Sequence, residues 1–164
     1  MAVIKFTTRD SRTVEAVKDE KDFGTIKFEG FFRNNISAVT KGNTGFDFVR
    51  SGFWGDKFEF RQAGEVFLYA RILPFKKMVI EDAKTGSKFI LKQNSFFKYD
   101  FEMTGENDLL FCTIKVKRGF RYTIKNAVFE SAGILDNYKE QFLICAAAFL
   151  LIKARIKRNS AAAV

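Results

Sequence analysis

Phe142-Leu143-Ile144-Cys145-Ala146-Ala147-Ala148-Phe149-Leu150-Leu151-Ile152 is an unbroken apolar run near the C-terminal end of this 164-residue chain. At helical spacing Phe142, Cys145, Phe149 and Ile152 fall on one side, with Leu143, Ala146 and Leu150 beside them. No polar face is left, so such a helix must be surrounded. At 1.5 Å per residue the run reaches about 16 Å, against roughly 30 Å of bilayer hydrocarbon. The expectation is a core helix rather than a membrane span, running over about 136–158. Asn137 is placed as its N-cap, and Glu140 three residues on completes a variant capping box. Lys153, Arg155, Lys157 and Arg158 follow the run, where positive charge suits the negative end of the helix dipole. The tail beyond Arg158 is expected to fray.

Upstream of the helix the pattern changes to period two. Thr25-Ile26-Lys27-Phe28-Glu29, Gly45-Phe46-Asp47-Phe48-Val49 and Lys57-Phe58-Glu59-Phe60-Arg61 alternate polar and apolar residues. So do the segments Phe75 to Glu81, Ser87 to Lys92, Phe97 to Phe101, Phe111 to Lys117 and Phe120 to Lys125. Aromatic and β-branched residues at this period mark half-buried strands. Turn signals such as Asp82-Ala83-Lys84-Thr85-Gly86 and Thr104-Gly105-Glu106-Asn107-Asp108 separate them. Strands spaced about 8–12 residues apart predict an antiparallel sandwich or barrel. The expectation is a mainly β fold: an antiparallel barrel of about twelve strands over 2–131, enclosing the C-terminal helix, in one domain of 1–164. Glu59, Glu65, Glu81, Asp82, Asp100 and Glu102 mostly alternate with apolar neighbours and are expected to face solvent. Gly24, Gly30, Gly42, Gly45, Gly52 and Gly55 are assigned to turns or bulges.

Composition narrows the chemistry. Hydrophobic residues make up 47 % of the chain, too many for a disordered one. The absence of histidine excludes Ser-His-Asp and Cys-His catalysis and His-ligated zinc. Neither GxxxxGK[ST] nor GxGxxG is present, so no nucleotide-phosphate loop is expected. The expectation is a non-enzymatic protein with no cofactor and no metal. Cys112 and Cys145 sit in apolar runs and are taken as two core thiols of a reducing compartment. The N-terminal residues lack the charge-then-apolar pattern of a secretory signal. Together these give a cytoplasmic protein, peripheral at a membrane. The formal net charge of +9, from 28 basic and 19 acidic residues, suggests an anionic partner, with plain solubility as the alternative reading.

Many short strands followed by Leu135-Asp136-Asn137-Tyr138-Lys139-Glu140-Gln141 and the apolar run resemble the tubby-like C-terminal superfamily. That group includes tubby domains, phospholipid scramblases and LURP-one-related proteins. The resemblance implies a roughly twelve-stranded barrel wrapped around a central hydrophobic helix. The calcium-binding acidic segment of scramblases has no counterpart, since Glu130 and Asp136 stand alone. In tubby domains, basic side chains on the barrel hold phosphoinositide headgroups, which makes the basic residues here the ones to follow.

Lys115 and Lys117 alternate with Ile114 and Val116, which places both lysines on the outer face. Arg118 and Arg121 continue the series around the hairpin, with Lys125 beyond. Lys76 and Lys77 form a second element, and the helix exit at Lys153 and Arg155 a third. The expected partner is an anionic membrane surface or a phosphoinositide, and the expected state is a monomer. Two alternatives stand beside it: a carrier of an apolar ligand, which needs the helix outside the barrel, and a protein-interaction module. Arg118-Gly119-Phe120-Arg121-Tyr122 is similar to a basic-glycine-aromatic element of RNA-binding sheets. The βαββαβ pattern that goes with it is missing, so nucleic acid is set aside.

Overall fold

Twelve strands form, eight of them on or overlapping the alternating segments named above. They are β1 (Ala2–Thr8), β2 (Thr13–Lys18), β3 (Lys21–Glu29), β4 (Asn35–Thr40), β5 (Gly45–Ser51), β6 (Lys57–Gln62), β7 (Glu65–Ile72), β8 (Lys77–Asp82), β9 (Lys88–Gln93), β10 (Asp100–Thr104), β11 (Leu110–Arg118) and β12 (Ile124–Ser131). A 3₁₀ turn (Ile134–Asn137) and one helix, α1 (Gln141–Ala161), follow. The computed structural model describes the chain except residues 30–34, 41–43, 52–55, 75–76, 96, 121–122, 139 and 162–164, and except the side chains of 29, 35–40 and 160–161.

The fold is mainly β. Strands β5 to β12, followed by β1, β2 and β3, make one antiparallel sheet of eleven strands. The long-range step in this order is β1 against β12, with Ile4 opposite Phe129 and Phe6 opposite Ala127. The backbone of β4 pairs with β3 and with β5. Alternation decides what each strand buries. Ile4 and Phe6 of β1, Phe58 and Phe60 of β6, and Phe101 and Met103 of β10 point into the core, with polar residues between them.

The apolar run is buried throughout, from Phe142 to Ile152, against the helix-facing side of the sheet. Phe149 is 1 % exposed and stacks on Phe6, with ring centroids 5.2 Å apart and planes at 17°. Offset stacking of this kind adds about 0.5–1.5 kcal/mol to simple area burial. Where α1 is slim, at Ala146, Ala147 and Ala148, the bulk of the core comes from phenylalanines of the strands. Phe6, Phe60, Phe89, Phe101 and Phe129 are among the largest fully buried side chains. Among the described residues no helix is long and apolar enough to cross a membrane.

The helix begins later than its local sequence suggests. Asn137 ends the 3₁₀ turn, and Tyr138 is extended at φ −91°, ψ 125°. The first α-helical bond links Ile144 N–H to the Glu140 carbonyl at 3.0 Å, so Asn137 is not the N-cap. The reason is tertiary: the Tyr138 ring packs edge-on against Phe89 and Phe111, at 5.1 and 5.7 Å between centroids. Asp136 instead accepts from Lys18 Nζ at 2.8 Å and from Gln141 Nε2 at 2.7 Å, tying the start of α1 to the end of β2. These two hydrogen bonds hold the Asp136 carboxyl below the usual carboxylate range.

Two strands also start later than alternation predicts. Phe97 precedes β10, in a turn where Ser95 Oγ accepts from the Phe97 and Lys98 N–H groups at 3.3 Å each. Phe120 precedes β12, and Thr123 Oγ1 donates to its carbonyl at 2.8 Å. Local hydroxyl bonds compete with the strand ladder and displace the strand boundary. Asp82 departs from its expected solvent exposure. It is buried, and its Oδ1 accepts from the Lys84 and Thr85 N–H groups at 2.8 and 2.9 Å. Both cysteines are free and buried, and burial pushes the Cys112 thiol up to about 12 and the Cys145 thiol well above its ordinary value.

Gly24 lies inside β3, opposite Ala16, beside the bulge in the β2–β3 register. A Cβ there would run into the Phe142 ring, so the glycine admits α1 to the sheet. Gly24→Ala should cost about 1–3 kcal/mol by overpacking, and Phe149→Ala about 3–5 kcal/mol by leaving a cavity. Urea denaturation measures both. A loss below about 1 kcal/mol for Phe149→Ala contradicts a core position for the helix.

Candidate functional site

The helix and the strands share two ends. Phe142, at the start of α1, packs edge-on against Phe23, two residues into β3. Near the other end, Lys153 Nζ lies 3.5 Å from the centroid of the Phe28 ring, at the close of β3. The chain therefore enters the helix at one end of the sheet and leaves it at the other. At the exit end lie the β1–β2, β7–β8, β9–β10 and β11–β12 connections, because β1, β7, β9 and β11 all finish there.

Near that end the sheet gathers the lysines singled out on β11 and β12. Lys115 and Lys117 are exposed, while Ile114 between the strands' inner positions is fully buried. Lys117 sits opposite Asn126, and a register shift follows at Arg118, which pairs with Ile124. The shift brings Lys125 out to solvent beside Asn126. Sequence reasoning missed Lys5. Val128 pairs with Lys115 on one side and with Lys5 on the other, so Lys5 of β1 belongs to the same outer surface. Its local signal was visible, an exposed lysine between buried Ile4 and Phe6, but its neighbours depend on the long-range β1–β12 pairing.

The members of the set differ in availability. Lys115 is paired with Glu130 at 3.2 Å. Arg118 donates from Nη1 to the Tyr99 hydroxyl at 2.6 Å and lies 4.5 Å from the centre of that ring. It bridges the β9–β10 connection to β11. Lys5, Lys117 and Lys125 form no ion pair among the described residues. Arg121 and Lys76 lie outside the described residues. Lys77 is exposed at the start of β8.

The helix-exit element is only partly a surface. Lys153 is half-buried over Phe28, and Lys157 and Arg158 are exposed. Arg155 is 7 % exposed, and its Nη1 is buried without a hydrogen-bond partner. It is therefore not one of the surface cations expected at the helix exit. Its position two residues after Lys153 turns it about 200° around α1, away from Phe28. Burial depresses its pKa, because desolvation penalises the charged guanidinium.

At the entry end the chemistry reverses. Asp19, Glu20, Glu106, Asp108, Asp136 and Glu140 lie in its connections. A cleft of about 380 Å³ opens there, lined by Phe46, Phe67, Lys84 and Glu140 among others. Among the described residues no three acidic or cysteine side chains come together as a metal ion would need.

No family model matches this chain, and neither a curated protein nor a solved structure does.

Arg155→Met keeps the apolar stem and removes the desolvated charge. It should raise stability by about 1 kcal/mol, within the range for an unsatisfied buried polar group. A thermal melt checks this, and a clear fall in Tm contradicts the view of Arg155 as an uncompensated charge.

Proposed function

We propose that this protein is a non-enzymatic tubby-like domain that binds anionic phospholipid headgroups at a membrane surface. The observation that carries the proposal is that Lys5, Lys117 and Lys125 share the outer face of three neighbouring strands, β1, β12 and β11, on a chain of net charge +9. A basic group near an anionic bilayer contributes about 1 kcal/mol, so a small cluster supports reversible, salt-sensitive attachment.

The tubby-like part of the proposal includes a sheet closed into a barrel around α1. Two features support it: an all-apolar helix buried after a long series of antiparallel strands, and a β4 backbone that pairs with both β3 and β5. A carrier of an apolar ligand needs α1 outside the sheet, whereas α1 is buried against it.

Co-sedimentation with phosphatidylcholine vesicles, with and without phosphatidylserine, tests the proposal. Binding should require phosphatidylserine and weaken as salt rises, because exposed charges are screened over about 8 Å at physiological ionic strength. The K5E/K117E/K125E triple variant should lose binding while keeping the parent Tm, since all three side chains are exposed. Equal binding to neutral vesicles, or full binding by the triple variant, contradicts the proposal. No vesicle binding at all favours the protein-interaction module.

A further inference from the structure

Phe97 and Phe120 are the two most exposed aromatic side chains among the described residues, at 94 % and 81 %. They belong to different connections, β9–β10 and β11–β12, and both connections lie at the exit end. Their strands are neighbours, because β10 pairs with β11. Leu73, also exposed, precedes β8 at the same end. Large apolar side chains held in water at one end of a fold mark a contact surface rather than a core.

Their surroundings identify the partner. Lys98 follows Phe97, and Arg118 lies two residues before Phe120, bonded to Tyr99 of the neighbouring connection. Arg12 of the β1–β2 connection and Lys157 and Arg158 of the helix exit add positive charge at this end. Asp10, Asp56 and Asp100 also lie at this end, but most acidic side chains of the connections, Asp19, Glu20, Glu106, Asp108, Asp136 and Glu140, lie at the opposite one, where Lys84 is the basic residue of the β8–β9 connection. Leu109 is exposed there too, but it sits beside Asp108 and near Glu106, which an anionic surface repels. Aromatic rings flanked by cations fit a bilayer interface, where the rings enter the headgroup–acyl boundary and the cations meet lipid phosphates.

We infer that the protein docks on an anionic bilayer with its exit end facing the lipid, Phe97 and Phe120 inserted and the acidic entry end turned away. This rests on the membrane binding proposed above and adds an orientation and an apolar anchor to it. Lys117 and Lys125, beside the β11–β12 connection, then lie at the rim of the contact. The anchor has a distinct signature. Apolar insertion is not screened by salt, so part of the binding survives at ionic strengths that remove the electrostatic part.

The test uses the full chain and phosphatidylcholine vesicles containing phosphatidylserine. F97S/F120S should bind about tenfold more weakly for each phenylalanine removed, lose the salt-resistant fraction, and keep the parent Tm. F97W/F120W should retain binding, because tryptophan suits the interface. L109S, at the other end, should bind like the parent. Full binding by F97S/F120S alongside loss in K5E/K117E/K125E overturns the end-on anchor and leaves the electrostatic reading standing. An equal loss in L109S overturns the orientation. Failure of the parent to bind any anionic vesicle overturns both. Phenylalanine-dependent self-association without vesicle binding assigns the end to a second copy and overturns the bilayer as its partner.

Discussion

The burial of one all-apolar helix against the sheet is the constraint on which the remaining structure depends. From Phe142 to Ile152 α1 offers no side to water. Each strand facing it must therefore present apolar residues at every second position, which is the pattern the sequence carries from β1 to β12. The phenylalanine content follows from the same constraint. Ala146, Ala147 and Ala148 leave space around the middle of the helix, and large strand side chains fill it, because interiors pack to near-crystalline density.

The helix also sets the polarity of the molecule. Its axis runs between two ends with opposite chemistry, and the helix dipole has the matching sign at each. Asp136 and Glu140 lie just before the positive N-terminus of α1, while Lys157 and Arg158 lie near the negative C-terminus. The connections lean the same way, mainly acidic at the entry end apart from Lys84, and mainly basic with exposed aromatic rings at the exit end apart from Asp10 and Asp56. A fold stabilised by charges matched to one helix thus acquires a surface with a preferred direction in an external field.

Much of this was legible along the chain. The apolar run identified the buried helix, and period-two alternation placed most strands, because both signals depend on residues close in sequence. The errors arose where longer-range or side-chain effects override those periods. Asn137 looked like a cap, but docking of Tyr138 on Phe89 and Phe111 delays the helix to Gln141. Phe97 and Phe120 continued an alternation that Ser95 and Thr123 interrupt through their hydroxyls. Arg155 looked like a cation at a helix end, yet helical phase turns it into a buried environment. For the basic site, local alternation placed Lys115 and Lys117 outward, but their neighbour Lys5 follows from a pairing of residues more than a hundred positions apart.

Native-state hydrogen exchange tests the central role of the helix most directly. If α1 is the core against which the sheet packs, the amides of Ile144 to Ile152 cannot open without exposing the whole interior. They should exchange only by global unfolding, with the same free energy and the same urea dependence as the paired amides of β1 and β12. Exchange of the helix amides at a markedly lower free energy, while the strands remain protected, would show a sheet that stands without its helix and contradict the account.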